Sequence, residues 1–289
     1  MTITSVSAML LPLPAVSPLY AGGQPAFNDW PNRGKGIVPR SRQGGICLKG
    51  EIEDKLGLPP TRQSEEACNA MKFALFLLGS WTEQETSAQS RIFGEMMEQV
   101  EYAEEVGFDS VWIAEHHSSR YGICPSLMPL LSHIAARTKK IRLGAGVSVL
   151  PFHNPIFLAE ESAMLDVLSN GRLDFGVGRG SADYEYGNFR IDFDTRDVRT
   201  QEALDVILGL WTQSDFSYDG EFYQVKDLTI APSPLQQPHP PVYLAVSRTA
   251  ASVDVAVERD LPILTSFSMP EADNLGLLSL YEERCAAAG

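Results

Sequence analysis

The sequence predicts an α/β fold: a parallel sheet with helical crossovers, interrupted by one β-hairpin. Three observations carry this. From residue 72 onward, short apolar runs alternate with longer segments whose apolar residues recur every three or four positions. Gly107 and Asn170-Gly171 stand where two of the longer segments have to stop. A single Asp219-Gly220 pair, flanked by Phe216–Tyr218 and Phe222–Val225, is a hairpin signal set inside the alternation.

Taken in order, Lys72–Leu77 is an apolar run suited to a buried strand. Gln89–Val106 is helical, with Phe93, Met96, Met97, Val100 and Ala103 on one face. Ser110–Ala114 is a second strand, Ser126–Ala136 a helix and Ile141–Leu150 a third strand. Pro155–Leu168 is a helix and Leu173–Val177 a fourth strand, after which Ser181–Asn188 is loop-like. The helix Val198–Thr212 leads into the hairpin, and a Pro-rich connector runs from Pro232 to Pro241. Val242–Val246, Ser252–Glu258, Pro262–Ser266 and a helix near Leu275–Ala288 complete the pattern. This makes six βα units, where a closed barrel of this kind has eight.

Residues 1–70 differ from the rest. They hold eight Pro and eight Gly and no sustained apolar period. They are expected to be a disordered extension or an over-long start, with Met71 as the initiator and the barrel domain in 71–289. The apolar stretch Met9–Tyr20 is broken by Pro12, Pro14 and Pro18 and follows no basic residue, so it does not read as a signal peptide. No run of eighteen apolar residues predicts a membrane span. The net charge of -14 repels phosphate backbones, which argues against nucleic acid as a partner. Cys47, Cys68, Cys124 and Cys285 share no metal-ligand or redox spacing, and a reducing, cytoplasmic compartment is expected.

Sites in parallel βα folds form at the carboxyl ends of strands. The second strand ends in Ala114-Glu115-His116-His117. Such a histidine can serve as a general base, as a donor to a cofactor, or merely to satisfy nearby backbone. Adjacent residues on a strand point to opposite faces, so the two make a poor metal pair. The fourth strand runs into Gly176-Val177-Gly178-Arg179-Gly180, where glycines admit close approach and Arg suits a phosphate, although a tight turn uses the same residues. The fifth ends in Val246-Ser247-Arg248-Thr249, with Ser252 placed to cap the next helix. Two anion-friendly strand ends point to a phosphate-bearing cofactor.

An ordered set of motifs then resembles the bacterial-luciferase-like flavin-dependent monooxygenases over residues 71–289. The set is Ala114-Glu115-His116-His117, Leu143-Gly144-Ala145-Gly146 through Leu150-Pro151, and Leu158-Ala159-Glu160 with Leu165-Asp166. It continues with Leu168-Ser169-Asn170-Gly171-Arg172, Phe175 through Gly180, the hairpin Tyr218–Tyr223, and the connector from Pro232-Ser233-Pro234 to Pro240-Pro241. The resemblance implies a TIM-like barrel, here stopping after the sixth strand, that binds reduced FMN and uses O2 to oxidise a small organic substrate. It implies His116 as the catalytic histidine beside the flavin. Glu115, Ala145, Gly146, Gly178, Arg179, Ser247, Arg248 and Phe267 are expected at the cofactor. Arg179 and Ser247 take phosphate-binding positions. Val246 stands where luciferase has a glutamate beside the phosphate, so that contact is missing. Phe267 replaces a ring-contacting Trp. The resemblance further implies a cis peptide at Gly146–Val147 and a homodimer or related-subunit dimer through the helices at 126–136 and 155–168. A separate flavin reductase is a possible source of the reduced cofactor. The alternatives are a non-catalytic flavin-binding subunit, a deazaflavin-dependent oxidoreductase of the same family, and an unrelated barrel hydrolase or isomerase using Glu115, His116 and Arg179.

Overall fold

The structure, a computed structural model, describes residues 72–81, 87–247 and 249–288. The expectations for residues 1–70 lie outside these. The elements are β1 (Ala74–Leu77), α1 (Ser87–Glu105), β2 (Ser110–Ile113), α2 (Leu127–Arg137), β3 (Arg142–Ala145) and β4 (Ser148–Val149). Then come α3 (Pro155–Leu168), β5 (Leu173–Gly178), α4 (Asp183–Phe189), α5 (Arg196–Thr212), β6 (Phe216–Asp219) and β7 (Gln224–Leu228). The last are β8 (Val242–Val246), α6 (Ala250–Glu258), β9 (Ile263–Thr265) and α7 (Glu271–Ala288).

The main sheet is parallel, in the order β1-β2-β3-β5-β8-β9, with β4 paired to β5. This is the order of an unrolled barrel, and all carboxyl ends lie along one edge. The expected TIM-like architecture, open after its sixth strand position, is present. So is the inserted hairpin, as the antiparallel pair β6–β7.

Alternation along the strands creates two faces. Val111, Ile113, Leu143, Leu173, Phe175, Val177, Leu244 and Val246 are buried in the main core together with Leu131 and Ile134 of α2, Leu158 of α3, and Leu204, Ile207 and Leu210 of α5. On the other face Trp112 lies across β3 and β5. A Cβ on Gly144 would fall inside its ring, and one on Gly176 would meet both that ring and the carbonyl of Ala145. Tyr243 closes on Trp112 edge-to-face at 5.2 Å. Two glycines therefore let one tryptophan fill the barrel floor.

Some expectations change in detail. The third strand is two pieces, β3 and β4, separated at Gly146–Val147, whose peptide is cis as expected. The first piece pairs with β2 and β5, the second with β5 alone. Residues read as a loop, 181–188, contain the two-turn helix α4, which Arg190 ends in the left-handed region at φ 57°. Its buried anchors are Glu185 and Tyr186, too few for a period to be visible. Ser252 is not a cap: Thr249 precedes α6, and its hydroxyl meets that of Ser252 at 2.9 Å.

The dimer expectation named residues that the chain mostly uses for itself. Met128, Leu131, Ile134 and Ala135 of α2, and Leu158, Ala159 and Ala163 of α3, are all buried within the chain. The large apolar residues that α3 leaves exposed are Phe157 (65%), Met164, Val167 and Leu168 (64%). This apolar stripe is the surface that association through α3 would cover.

Candidate active site

Three residues beyond the end of β2, the chain carries His116 and His117 in different surroundings. The His116 N–H donates to the Cys124 carbonyl at 3.0 Å. Its ring meets Tyr121 edge-to-face at 5.0 Å. Gly122 gives it room, because a Cβ there would stand 2.9 Å from the ring. Nδ1 lies 3.4 Å from Oε1 of Glu185 on α4. The same oxygen accepts the backbone N–H of His117 at 2.9 Å and the Tyr184 hydroxyl at 3.4 Å.

Burial pushes the Glu185 carboxyl up, but the hydrogen bonds from the His116 ring and the His117 N–H outweigh this and hold it below its ordinary value. An ionised carboxylate only accepts, so it fixes the proton of a neutral His116 on Nδ1. Among the described residues nothing hydrogen-bonds to Nε2, which is left as an available base.

His117 turns into the protein. Its Nε2 is 3.0 Å from Oε1 of Glu115, and Nε2 of His153 reaches both oxygens of that carboxylate at 2.9 and 3.0 Å. The Glu115 side chain is fully enclosed. Burial raises its carboxyl pKa, and the two imidazole hydrogen bonds more than reverse this, leaving it lowered. For His153, burial lowers the pKa and the Glu115 carboxylate more than compensates, so it is raised. The His117 ring also packs edge-on against Phe152 and against Phe189 of α4, which stack on each other at 4.7 Å.

The other expected residues line the same carboxyl edge. Gly146 follows β3, its N–H bonded to the Ile113 carbonyl at 2.7 Å, and a Cβ there would meet Phe76 at 3.4 Å. Phe76 and Phe267 face each other at 5.0 Å, at the ends of β1 and β9. Gly178 ends β5, where a Cβ would stand 2.8 Å from Val147. Arg179 follows, its guanidinium 2.6 Å from Asp197 of α5, and Ser247 is half-buried after β8. Arg248 lies outside the described residues. Ala145 and Glu115 offer no accessible side chain: Ala145 belongs to the core, and Glu115 is taken by two histidines. Sequence reasoning missed Glu185 and His153. Glu185 sits in the segment read as a loop, and His153 in a 3-10 turn, Leu150–Phe152, and the residue after it.

The residues at this edge have the chemistry that a phosphate-bearing aromatic group needs: Arg179 and Ser247 carry anion-binding groups, and Phe76 and Phe267 offer aromatic surface. Among the described residues no cluster fit to hold a metal ion occurs, and no helix is long and apolar enough to cross a membrane.

Comparison with known proteins bears on this arrangement. The chain is 38% identical over 219 residues to a flavin-dependent trigonelline monooxygenase, oxygenase component, of Acinetobacter baylyi, covering 74% of this chain and 60% of that one. It is 35% identical over 167 residues to an F420-dependent glucose-6-phosphate dehydrogenase of Amycolatopsis mediterranei, covering 55% of this chain and 50% of that one. The crystal structure of monooxygenase RslO1 from Streptomyces bottropensis superimposes with a TM-score of 0.71 at 33% identity, over 76% of this chain and 67% of that one. The chain thus spans only part of the length of these curated relatives. The family model described as luciferase-like monooxygenase matches residues 71–289, and the chain belongs to that family.

Proposed function

We propose that this chain is the oxygenase part of a two-component flavin monooxygenase, taking reduced FMN from a separate flavin reductase and using O2 to oxidise a small organic substrate. The observation that carries this is the His116–Glu185 pair. It presents a base at Nε2 on the carboxyl edge that also carries Phe76, Gly146, Gly178 and Phe267. The relative from Acinetobacter baylyi, an oxygenase component by name, supports the division of labour.

Bound reduced FMN would supply the electrons and the activation of oxygen. The chain's own residues do the rest. Phe76, Phe267 and Gly146 would hold the ring, and Arg179 and Ser247 the phosphate, with Arg179 kept in place by Asp197. His116 takes or returns a proton at Nε2, while Glu185 fixes the ring orientation and stabilises the imidazolium that forms when Nε2 is protonated. Phe152 and Phe189 pack on the ring of His117, and Tyr186 packs on Phe152, which holds the neighbouring histidine in place.

Anaerobic titration of the purified chain with reduced FMN and, in parallel, with a reduced deazaflavin tests the reading through absorbance. Preferential binding of FMN is the expected result. Preferential binding of the deazaflavin would replace it with the dehydrogenase reading that the Amycolatopsis relative offers, and binding of neither would sink both.

We also propose that the exposed stripe Phe157, Met164, Val167 and Leu168 is buried in a dimer. Sedimentation at micromolar concentration is expected to give a dimeric mass, and Phe157→Glu with Leu168→Glu a monomeric one. A wild-type chain that sediments as a monomer would refute this.

A further inference from the structure

We propose that His153 is a positioning residue for His116, acting through Glu115, His117 and Glu185. The inference rests on the reading of His116 given above. The contacts form one continuous path. His153 Nε2 spans both Glu115 oxygens at 2.9 and 3.0 Å, and Glu115 Oε1 receives His117 Nε2 at 3.0 Å. The His117 backbone N–H donates to Glu185 Oε1 at 2.9 Å, and Glu185 Oε1 faces His116 Nδ1 at 3.4 Å.

The path works by donor arithmetic. Glu115 is a buried, acceptor-only group, so each imidazole that meets it must present an N–H. Both do so with Nε2, which fixes their protonation at that atom. With two donors on one carboxylate, Glu115 has a single seat. Because its Oε1 is shared, the seat of His117 depends on where His153 holds that oxygen. His117 in turn sets Glu185 twice. Its backbone N–H holds the carboxylate, and its ring packs against Phe189 on the helix that carries Glu185.

The charges around the path are few. Glu161 of α3 faces His153, and the Cys124 thiol lies within the field of Glu115, its pKa pushed up to about 11 mainly by burial. Tyr184 adds its hydroxyl to Glu185. None of these donates to Glu115, so His153 has no substitute among the groups named here.

The test reads the tautomer of His116 directly, without cofactor or turnover. The full chain, labelled with 15N in its imidazoles, has five histidines, few enough to assign by single variants. In wild-type protein the neutral His116 ring is expected to carry its proton mainly on Nδ1. Glu185→Ala, which removes the acceptor, is expected to abolish that preference. His153→Ala is expected to reduce the Nδ1-H to Nε2-H ratio about twofold or more, the size of coupling usual within one hydrogen-bond network. His153→Gln, which restores a donor, is expected to recover most of it.

Val206→Ala, a core truncation away from the path, controls for general destabilisation. The proposal is overturned if His153→Ala leaves the ratio at the wild-type value while Glu185→Ala changes it; the reading of the His116–Glu185 pair then stands. It is also overturned if Val206→Ala shifts the ratio as much as His153→Ala. If Glu185→Ala itself leaves the ratio unchanged, the reading of the pair fails as well.

Discussion

Substituting Asn for His116 is expected to slow substrate oxidation by about 10²–10⁴-fold, the usual contribution of a positioned acid–base group, while flavin affinity stays as it was. Asn keeps an N–H near the place of Nδ1, so Glu185 retains its partner and α4 its seat. What disappears is Nε2, the atom that exchanges a proton. The surrounding contacts make the substitution mild for the fold. The ring is only part-buried, and its neighbour Tyr121 is exposed. Product formation in single turnovers, measured beside flavin affinity by absorbance, separates the two effects. Equal losses in both would mean that His116 serves binding rather than proton transfer, and unchanged turnover would remove it from the mechanism.

Glu115→Ala is expected to be far more harmful to stability than to any surface property. Removing one partner of a buried charged network costs about 3–5 kcal/mol, because the remaining groups stay enclosed without their counter-charge. Here two imidazoles would lose their common acceptor. The wild-type chain should also show the pH signature of the cluster. Glu115 is held below its ordinary 4.5, so its contribution is present above that value and is lost as pH falls through the depressed pKa. His153 is held above its ordinary 6.5, so its contribution is complete below that value and is lost as pH rises through the raised pKa. The full effect therefore lies between 4.5 and 6.5. Urea midpoints measured across pH are expected to fall on both sides of that window, and the alkaline fall should flatten in His153→Gln. A Glu115→Ala chain as stable as wild type would refute the account of the cluster.

The order of strands and helices was legible in the residues themselves, because each element repeats a local pattern. Apolar runs of five or six make buried strands, three-and-four spacing makes helices, and Asp219-Gly220 makes a hairpin wherever it stands between two strand segments. His116 was legible too, as a titratable residue just past the end of the second strand, and so were Gly178 and Arg179 at the end of the fourth, whereas Gly146 and Phe267 entered only through the family resemblance. The tertiary structure alone decided their partners. Glu185 meets His116 across 69 positions and Glu115 meets His153 across 38, and both partners sit in or beside helical pieces too short to show a period. Glu202 likewise collects the N–H groups of Glu221, Phe222 and Tyr223, seating the hairpin turn on α5. Trp112 fills the floor only because Gly144 and Gly176 come beside it in register. Local patterns depend on near neighbours along the chain. These pairings depend on strand order and register, which bring residues tens of positions apart into hydrogen-bonding distance, and no single segment encodes that distance.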